Sequence, residues 1–431
     1  MMNRNFLSTL LLASALSTGV ATPLYAQSIE ELKAQLEMLS KRIEELEKKQ
    51  AAAPQGKVAE IKKAGPALTL ATDDGLFEFK LRGRLYADAG WAHDNDDAMN
   101  VAGTELRAAR IGIEGKAWGK IGYRFEADFA GNTTTVNDAF ITYPTSFGKV
   151  TVGNFKTPNS LEEQTSSRFV TFIERGAFTD AFNLARQLGV SLSNGGDNWT
   201  FKAAVFRGSV SDTADEQGTT LAGRVTYGGK FDNGAWMLGG SVRYQEASEG
   251  AQYRYRQRTY HHLSDRLLAT GFITDEDFMY GLEAAAQMGA FHASAEWASL
   301  SAKDGGSAAR NATFSGGYVE AGWFITGESR PLKLSSGVWD RAAVNSPIHK
   351  GGVGAWEVAA KYDIIDLTDN GVFGGEMDTI VIGLNWYLNR HARVMANYSH
   401  STIDDAFDVA ANGADGENSA DTFGLRFQID W

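Results

Sequence analysis

The stretch Ala420-Asp421-Thr422-Phe423-Gly424-Leu425-Arg426-Phe427-Gln428-Ile429-Asp430-Trp431 decides the fold. Phe423, Leu425, Phe427, Ile429 and Trp431 share one parity; Thr422, Gly424, Arg426, Gln428 and Asp430 share the other. Successive side chains of a strand point to opposite faces, so this strand has one apolar face and one polar face. Two environments give that pattern. One is a soluble sandwich with its apolar face on a core, the other a membrane barrel with lipid outside and water inside.

The remaining 419 residues separate the two. The chain has 47 glycines, 7 prolines, no cysteine and a formal charge of -12. No run of about 18 apolar residues occurs beyond the N-terminus. A mean hydropathy of -0.27 excludes a bundle of membrane helices but not a barrel, where half of each strand is polar. Lack of cysteine removes disulfides and thiolate chemistry and suits an exported protein. The acidic balance argues against nucleic acid as a partner. It leaves room for a local anion site, because net charge describes the whole surface.

Residues 1–26 read as an export signal, with Arg4, an apolar run from Phe6 to Val20, and a cleavage site at Leu24-Tyr25-Ala26. Over 27–50, Ile29, Leu32, Leu36, Leu39, Ile43 and Leu46 form a heptad seam, which predicts a short parallel coiled-coil helix without fixing the number of chains. So short a coil is marginal alone and would support an oligomer held by other contacts. Residues 51–66 form a linker, and 67–431 the barrel.

From Leu68 the period switches to two. About sixteen strand-like runs follow, an even number as bacterial barrels require. Tight links such as Ala117–Lys120, Pro144–Gly148 and Asn389–His391 alternate with longer ones at 92–104, 156–187, 207–219, 246–277, 301–312, 364–376 and 401–419. Short turns on one rim and long loops on the other predict an all-β, 16-stranded antiparallel transmembrane barrel. Two connections break the rule: 325–353 is long on the turn side, and 131–135 is short on the loop side. Trp236, Trp323, Trp356, Trp386, Tyr387 and Trp431 sit near strand ends, where interfacial girdles belong.

With Phe77, Phe79, Leu81, Gly83, Leu85 and Ala87 toward lipid, the first strand turns Glu78, Lys80, Arg82, Arg84, Tyr86 and Asp88 inward. Arg110, Glu114 and Lys116 follow on the next strand, then Arg124, Glu126 and Asp128. Mixed charges in a lumen often only neutralise each other. In 246–277, Arg254, Arg256 and Arg258 recur at every second position, about 6.6 Å apart if extended. They read equally as a row of forked donors for an oxoanion or as an exposed basic loop on lipid headgroups. The connection 156–187 carries Phe169, Phe172, Ile173, Phe178 and Phe182 beside Ser166, Ser167, Arg168, Arg175 and Arg186. So aromatic a loop is expected to fold into the barrel and narrow it.

Several stretches together resemble the phosphate-selective porin O/P family. These are Arg110-Ile111-Gly112-Ile113-Glu114-Gly115, Ser166-Ser167 with Thr171-Phe172-Ile173-Glu174-Arg175, and Gly322-Trp323-Phe324-Ile325-Thr326-Gly327-Glu328. Gly354-Ala355-Trp356-Glu357 and Gly383-Leu384-Asn385-Trp386-Tyr387-Leu388-Asn389 complete them. The resemblance implies a homotrimer of barrels passing phosphate or polyphosphate. It makes Arg254, Arg256 and Arg258 an anion ladder and Lys80, Arg82 and Arg84 a periplasmic basic cluster. Arg107, Arg110, Asp138, Ser166, Ser167, Arg168 and Arg393 would form the constriction. The family's adjacent arginine pair reads Arg107-Ala108 here, and Trp431 replaces the usual terminal phenylalanine.

No enzyme activity and no cofactor are expected. A lipid hydrolase on a barrel would need an activated serine, and His261, His262, His292 and His400 lie in no such setting. A general or cation-preferring porin would draw on the acidic runs Asp94–Asp97, Asp404-Asp405 with Asp408, and Asp415–Glu417. These are read as solvated outer loops able to meet lipopolysaccharide through divalent cations.

Overall fold

The computed structural model describes residues 29–52, 60–62, 66–95, 99–213, 216–303, 311–404 and 418–431. The export signal, most of the linker, Asp96, Asp97, Asp405, Asp408 and Asp415–Glu417 lie outside them. Helix α1 (Ile29–Ala52) covers the predicted heptad region. Taken by itself it leaves the seam residues Leu36, Leu39, Ile43 and Leu46 between 54% and 66% exposed.

The second unit is a closed antiparallel barrel of sixteen strands. These are β1 (Glu78–Asp94), β2 (Asn100–Ala117), β3 (Ile121–Asp128), β4 (Thr135–Thr145), β5 (Gly148–Lys156) and β6 (Arg186–Gly195). Then come β7 (Trp199–Phe206), β8 (Thr219–Phe231), β9 (Gly234–Glu246), β10 (Glu276–Met288) and β11 (Phe291–Lys303). The last five are β12 (Ala312–Phe324), β13 (Ala355–Asp369), β14 (Val372–Asn389), β15 (Ala392–Asp404) and β16 (Asn418–Asp430). β16 closes on β1, from Ala420 opposite Asp94 to Asp430 opposite Arg84. Trp431 then exchanges backbone hydrogen bonds with Gly83 at 3.0 and 3.1 Å. The short strand Thr69–Ala71 pairs with the start of β1, from Thr69 opposite Lys80 to Ala71 opposite Glu78.

The alternation of the sequence is the alternation of environment. On β14, Ile380 and Ile382 are exposed outward while Val381 between them is buried inward; on β16, Phe427 is exposed while Arg426 and Gln428 are buried. Aromatic pairs mark both rims. Tyr227–Trp236, Phe291–Trp323 and Trp356–Trp386 lie toward the tight turns, Trp91–Phe423 and Tyr280–Trp297 toward the loops.

Two expectations about connections are corrected. The supposed long loop 364–376 is strand almost throughout, closed by the two-residue turn Asn370-Gly371 with φ of 52° and 90°. Both residues there need positive φ, which Asn and Gly tolerate best. A register shift between Asp366 and Thr368 breaks the parity and hides the strand from period-two reading. Likewise β1 and β2 extend into the supposed loop 92–104, so Asp94 is a buried strand residue accepting from the Met99 amide at 3.1 Å rather than part of a solvated outer loop. The odd connection on the turn side is real: residues 325–354 are an insertion with the small ribbon Leu332–Lys333/Val338–Trp339.

Gly153 in β5 has φ of 130°, and a Cβ there would stand 2.2 Å from the Ala139 carbonyl oxygen. Gly153→Ala is expected to lower the temperature at which the folded barrel loses its compact gel mobility. Gly75→Ala, in an open turn, should move it much less, since nothing lies within 4 Å of a Cβ there.

Candidate functional site

The barrel interior is divided lengthwise. Against β10–β16, Phe178, Phe182, Tyr255, Leu267 and Leu268 from two inward-folded loops join Met279, Leu300, Phe314, Ile365 and Met377 of the strands in one apolar core. The loops are 157–185 and 247–275. The turn-side insertion adds a second cluster, in which Leu332, Leu334 and Trp339 pack on Leu161, Met237 and Ala285. Open space remains on the other side, along β1–β8.

Polar groups fasten the loop 157–185 to the filled half. Its short helix α2 (Leu161–Gln164) begins on the Glu296 carboxylate of β11, which accepts from the Leu161 and Glu162 amides at 2.8 and 2.7 Å and from Ser160 Oγ at 3.1 Å. Lys361 Nζ reaches Glu162 Oε1 at 2.8 Å, and the other Glu162 oxygen accepts from the Gly176 amide at 2.6 Å. Further on, carbonyls are met by strand and insertion side chains in succession. Phe169 receives Arg330, Val170 receives Arg393, Thr171 receives Asn385 and Ile173 receives Arg426, all between 2.8 and 3.0 Å. The second short helix, α3 (Ala177–Ala181), starts on Asp363, with the Ala177 amide 3.1 Å from Oδ2.

What this leaves is a chamber of about 850 Å³ lined by Arg82, Arg84, Arg110, Asp138, Ser166, Ser167 and Arg168 among others, and an outer cavity of about 280 Å³ lined by Arg107, Arg258, Arg266 and Tyr86 among others. Arg110, Glu163, Ser167 and Arg175 line both, so they stand at the junction. Eleven lysines and arginines but only three carboxylates line the chamber.

Most arginines of the β1–β4 wall are matched. Arg82 meets Glu114 at 2.6 Å, Arg84 meets Glu126 at 3.0 Å, Arg110 meets Asp128 at 2.6 Å, and Asp138 lies 2.7 Å from Arg186 and 3.5 Å from Arg124. Arg84 also donates to Ser167 Oγ at 2.7 Å, tying the junction to the wall. At the junction itself Glu163 is held by Lys156 at 3.0 Å and Arg175 at 3.3 Å.

The residues singled out from sequence thus fall in four places. Arg82, Arg84, Arg110, Asp138, Ser166, Ser167 and Arg168 share the chamber; Lys80 sits beside it, 3.3 Å from Glu114. Arg107 lines the outer cavity, 3.9 Å from Glu174. Arg393 is 3% exposed and spends its guanidinium on the Val170 carbonyl and on Gln428. The ladder residues Arg254, Arg256 and Arg258 are half-buried, with Tyr255 and Gln257 between them and Thr259 after them buried. Arg258 reaches the cavity and donates to the Ser264 carbonyl; Arg254 lies 4.7 Å over the Phe272 ring. Partial burial and then the charge of Arg266 lower the proton affinity of Arg256 and Arg258, as expected of crowded cations. Sequence reasoning passed over Lys156 and Glu163. Glu163 carries no signal at all in the sequence, because only the fold of the loop puts it at the junction.

Comparisons with known proteins agree with this architecture. The family model for "Phosphate-selective porin O and P" matches residues 79–431. An uncharacterised protein of Caulobacter vibrioides is 33% identical over 372 residues, covering 82% of this chain and 74% of that one. Porin O of Pseudomonas aeruginosa is 28% identical over 414 residues, covering 84% and 90%. Among solved structures, an anion-selective porin from Comamonas acidovorans aligns with a TM-score of 0.53 at 13% identity, over 82% of this chain and all of that one. The outer-membrane channel DcaP of Acinetobacter baumannii aligns with a TM-score of 0.52 at 13% identity, over 84% and 99%. At such identities the two structures share the fold alone.

Glu296→Ala should leave the barrel closed but free the start of the inward loop. Each donor left without its acceptor costs about 1–3 kcal/mol. Expected outcomes are higher single-channel current noise and faster tryptic cleavage at Arg168 and Arg175, read by mass spectrometry.

Proposed function

The chain belongs to the phosphate-selective porin O and P family and forms an outer-membrane channel of a Gram-negative bacterium, and from that premise we propose that it is a passive pore selective for small oxoanions, phosphate and polyphosphate foremost. The observation that carries the reading is the chamber lining, eleven lysines and arginines against three carboxylates, in a protein whose net charge is -12. Glu114, Glu126, Asp128 and Glu283, paired with lining arginines from just outside it, offset part of that excess but leave it positive. An excess so placed against the overall balance concentrates anions in the bore.

In this reading Arg254, Arg256 and Arg258 draw anions down the outer loop toward Arg107. Arg110, Ser167 and Arg175 receive them at the junction, with Ser166, Arg168 and Asp138 below. Lys80, Arg82 and Arg84 lie on the periplasmic wall. Forked guanidiniums and hydroxyls replace the hydration that a phosphate sheds in a narrow passage. Arg393 acts at one remove, by fixing the loop that carries the serines. The bare seam of α1 supports self-association through a coiled coil, and the homotrimer that the family resemblance implies sets the number of helices at three.

In a planar bilayer with a salt gradient, the zero-current potential is expected to have the anion-selective sign, and phosphate to block chloride current. A cation-selective sign would sink the proposal in favour of a general or cation-preferring porin. Replacing Arg254, Arg256 and Arg258 together by alanine should lower anion conductance while trimers on unheated gels persist; unchanged conductance removes the ladder.

A further inference from the structure

The three carboxylates that line the outer cavity are not alike. Glu163 is held by Lys156 at 3.0 Å and Asp180 by Arg266 at 3.0 Å. Glu174 stands 3.9 Å from Arg107 and 3.8 Å from Arg426, inside ion-pair range but beyond hydrogen-bonding distance of either. Its Oε1 is buried, and so are Nε of Arg107 and Oε1 of Gln257. Among the described residues none of these three atoms makes a hydrogen bond. All three side chains line the same cavity of about 280 Å³.

They come from separate parts of the chain. Arg107 lies on β2, Glu174 directly before Arg175 of the junction, and Gln257 between the ladder residues Arg256 and Arg258. Gln257 is 5% exposed, and an amide oxygen buried to that degree ordinarily has a partner. Other arginines of the cavity are committed: Arg426 to Asp88 at 2.6 Å, Arg110 to Asp128 at 2.6 Å, and Arg175 to the Glu162 carbonyl at 2.9 Å. On the way to the junction, then, one donor and two acceptors stand uncommitted together. A halide or a fully ionised oxoanion can use only the donor and is repelled by both oxygens. An oxoanion that keeps a hydrogen can use both kinds.

We propose that Glu174 and Gln257 make the outer cavity a filter for oxoanions that carry a hydroxyl, placed ahead of the junction. Arg107 takes a charged oxygen of the ion, and Glu174 accepts its hydroxyl hydrogen. The Gln257 oxygen accepts the second hydrogen of a singly charged, doubly protonated ion. Selectivity comes from the ion that is turned away. Sulfate has the shape of phosphate but no hydrogen, so it sets bare oxygens against a buried carboxylate and a buried amide oxygen. The two residues act as acceptors, a duty that no cation of the bore can perform. The inference deepens the anion-pore reading and rests on it.

The test uses the full-length protein in a planar bilayer near neutral pH, with chloride carrying the current. Phosphate, arsenate, sulfate or selenate is added on the loop side, and the concentration that half-blocks is read for each. Phosphate and arsenate, which keep a hydroxyl, are expected to block at lower concentration than sulfate and selenate, which do not. In Glu174→Gln the ratio of the sulfate to the phosphate value should fall about tenfold, as for loss of a charge-assisted contact. Glu174→Asp should keep most of that ratio, which separates the acceptor from damage to the loop. Gln257→Leu should weaken block by phosphate and leave sulfate unchanged. If Glu174→Gln strengthens block by all four ions equally, the carboxylate acts only through its charge and the filter is overturned. An anion-selective wild type blocked equally by phosphate and sulfate overturns the filter alone. A cation-selective wild type overturns it together with the pore reading.

Discussion

A loop folded into a barrel brings unpaired backbone into a place poor in water, and every amide and carbonyl there needs a partner. The Glu296 carboxylate is the first and most concentrated of these partners, gathering two amides and a hydroxyl at the start of α2. The rest of the structure depends on it. Lys361 orients Glu162, Glu162 caps the turn at Gly176, and Arg330, Arg393, Asn385 and Arg426 take up successive carbonyls. Glu296, Lys361, Asp363, Arg393 and Arg426, turned inward on β11–β16, serve the loop rather than the bore.

That use of charge explains why the channel runs along one side. The loops and the insertion fill the space before β10–β16 and press the open passage against β1–β8. The insertion takes part directly: Arg330 joins Glu320 to the loop, Arg341 pairs with Asp430, and Trp339 is buried beside His292. The connection too long for the turn rim is a prop under the inward loop, held by arginines whose partners lie far away in the chain.

Fold and site were legible to different degrees for a physical reason. Parity survives in sequence because lipid and water select opposite residue types on opposite faces, so β1, β14 and β16 read directly. It failed at 364–376, where one bulged residue reversed it. Inward charge is equally visible, but its duty is not. Arg393 and Arg84 are the same residue type and both face inward on their strands; one is consumed by the Val170 carbonyl, the other reaches Ser167 on the open side. Only the path of loop 157–185 separates them.

Glu163 shows what a constriction gains from a carboxylate. Unopposed, Arg110, Arg175 and Lys156 would hold an anion so tightly that entry and blockage became the same event. The Glu163 oxygens, 3.0 Å from Lys156 and 3.3 Å from Arg175, spend part of that attraction internally. On the proposed reading, an arriving phosphate competes for Arg175 instead of finding it free, which shortens its dwell while the ring of Arg110, Arg175 and Lys156 keeps more cations than the one carboxylate of Glu163. The same logic applies to Ala108, buried beside Arg107 where the family pattern has a second arginine. If the pore carries oxoanions as proposed, both features move the balance from retention toward passage, which conduction needs wherever an anion is stripped of water.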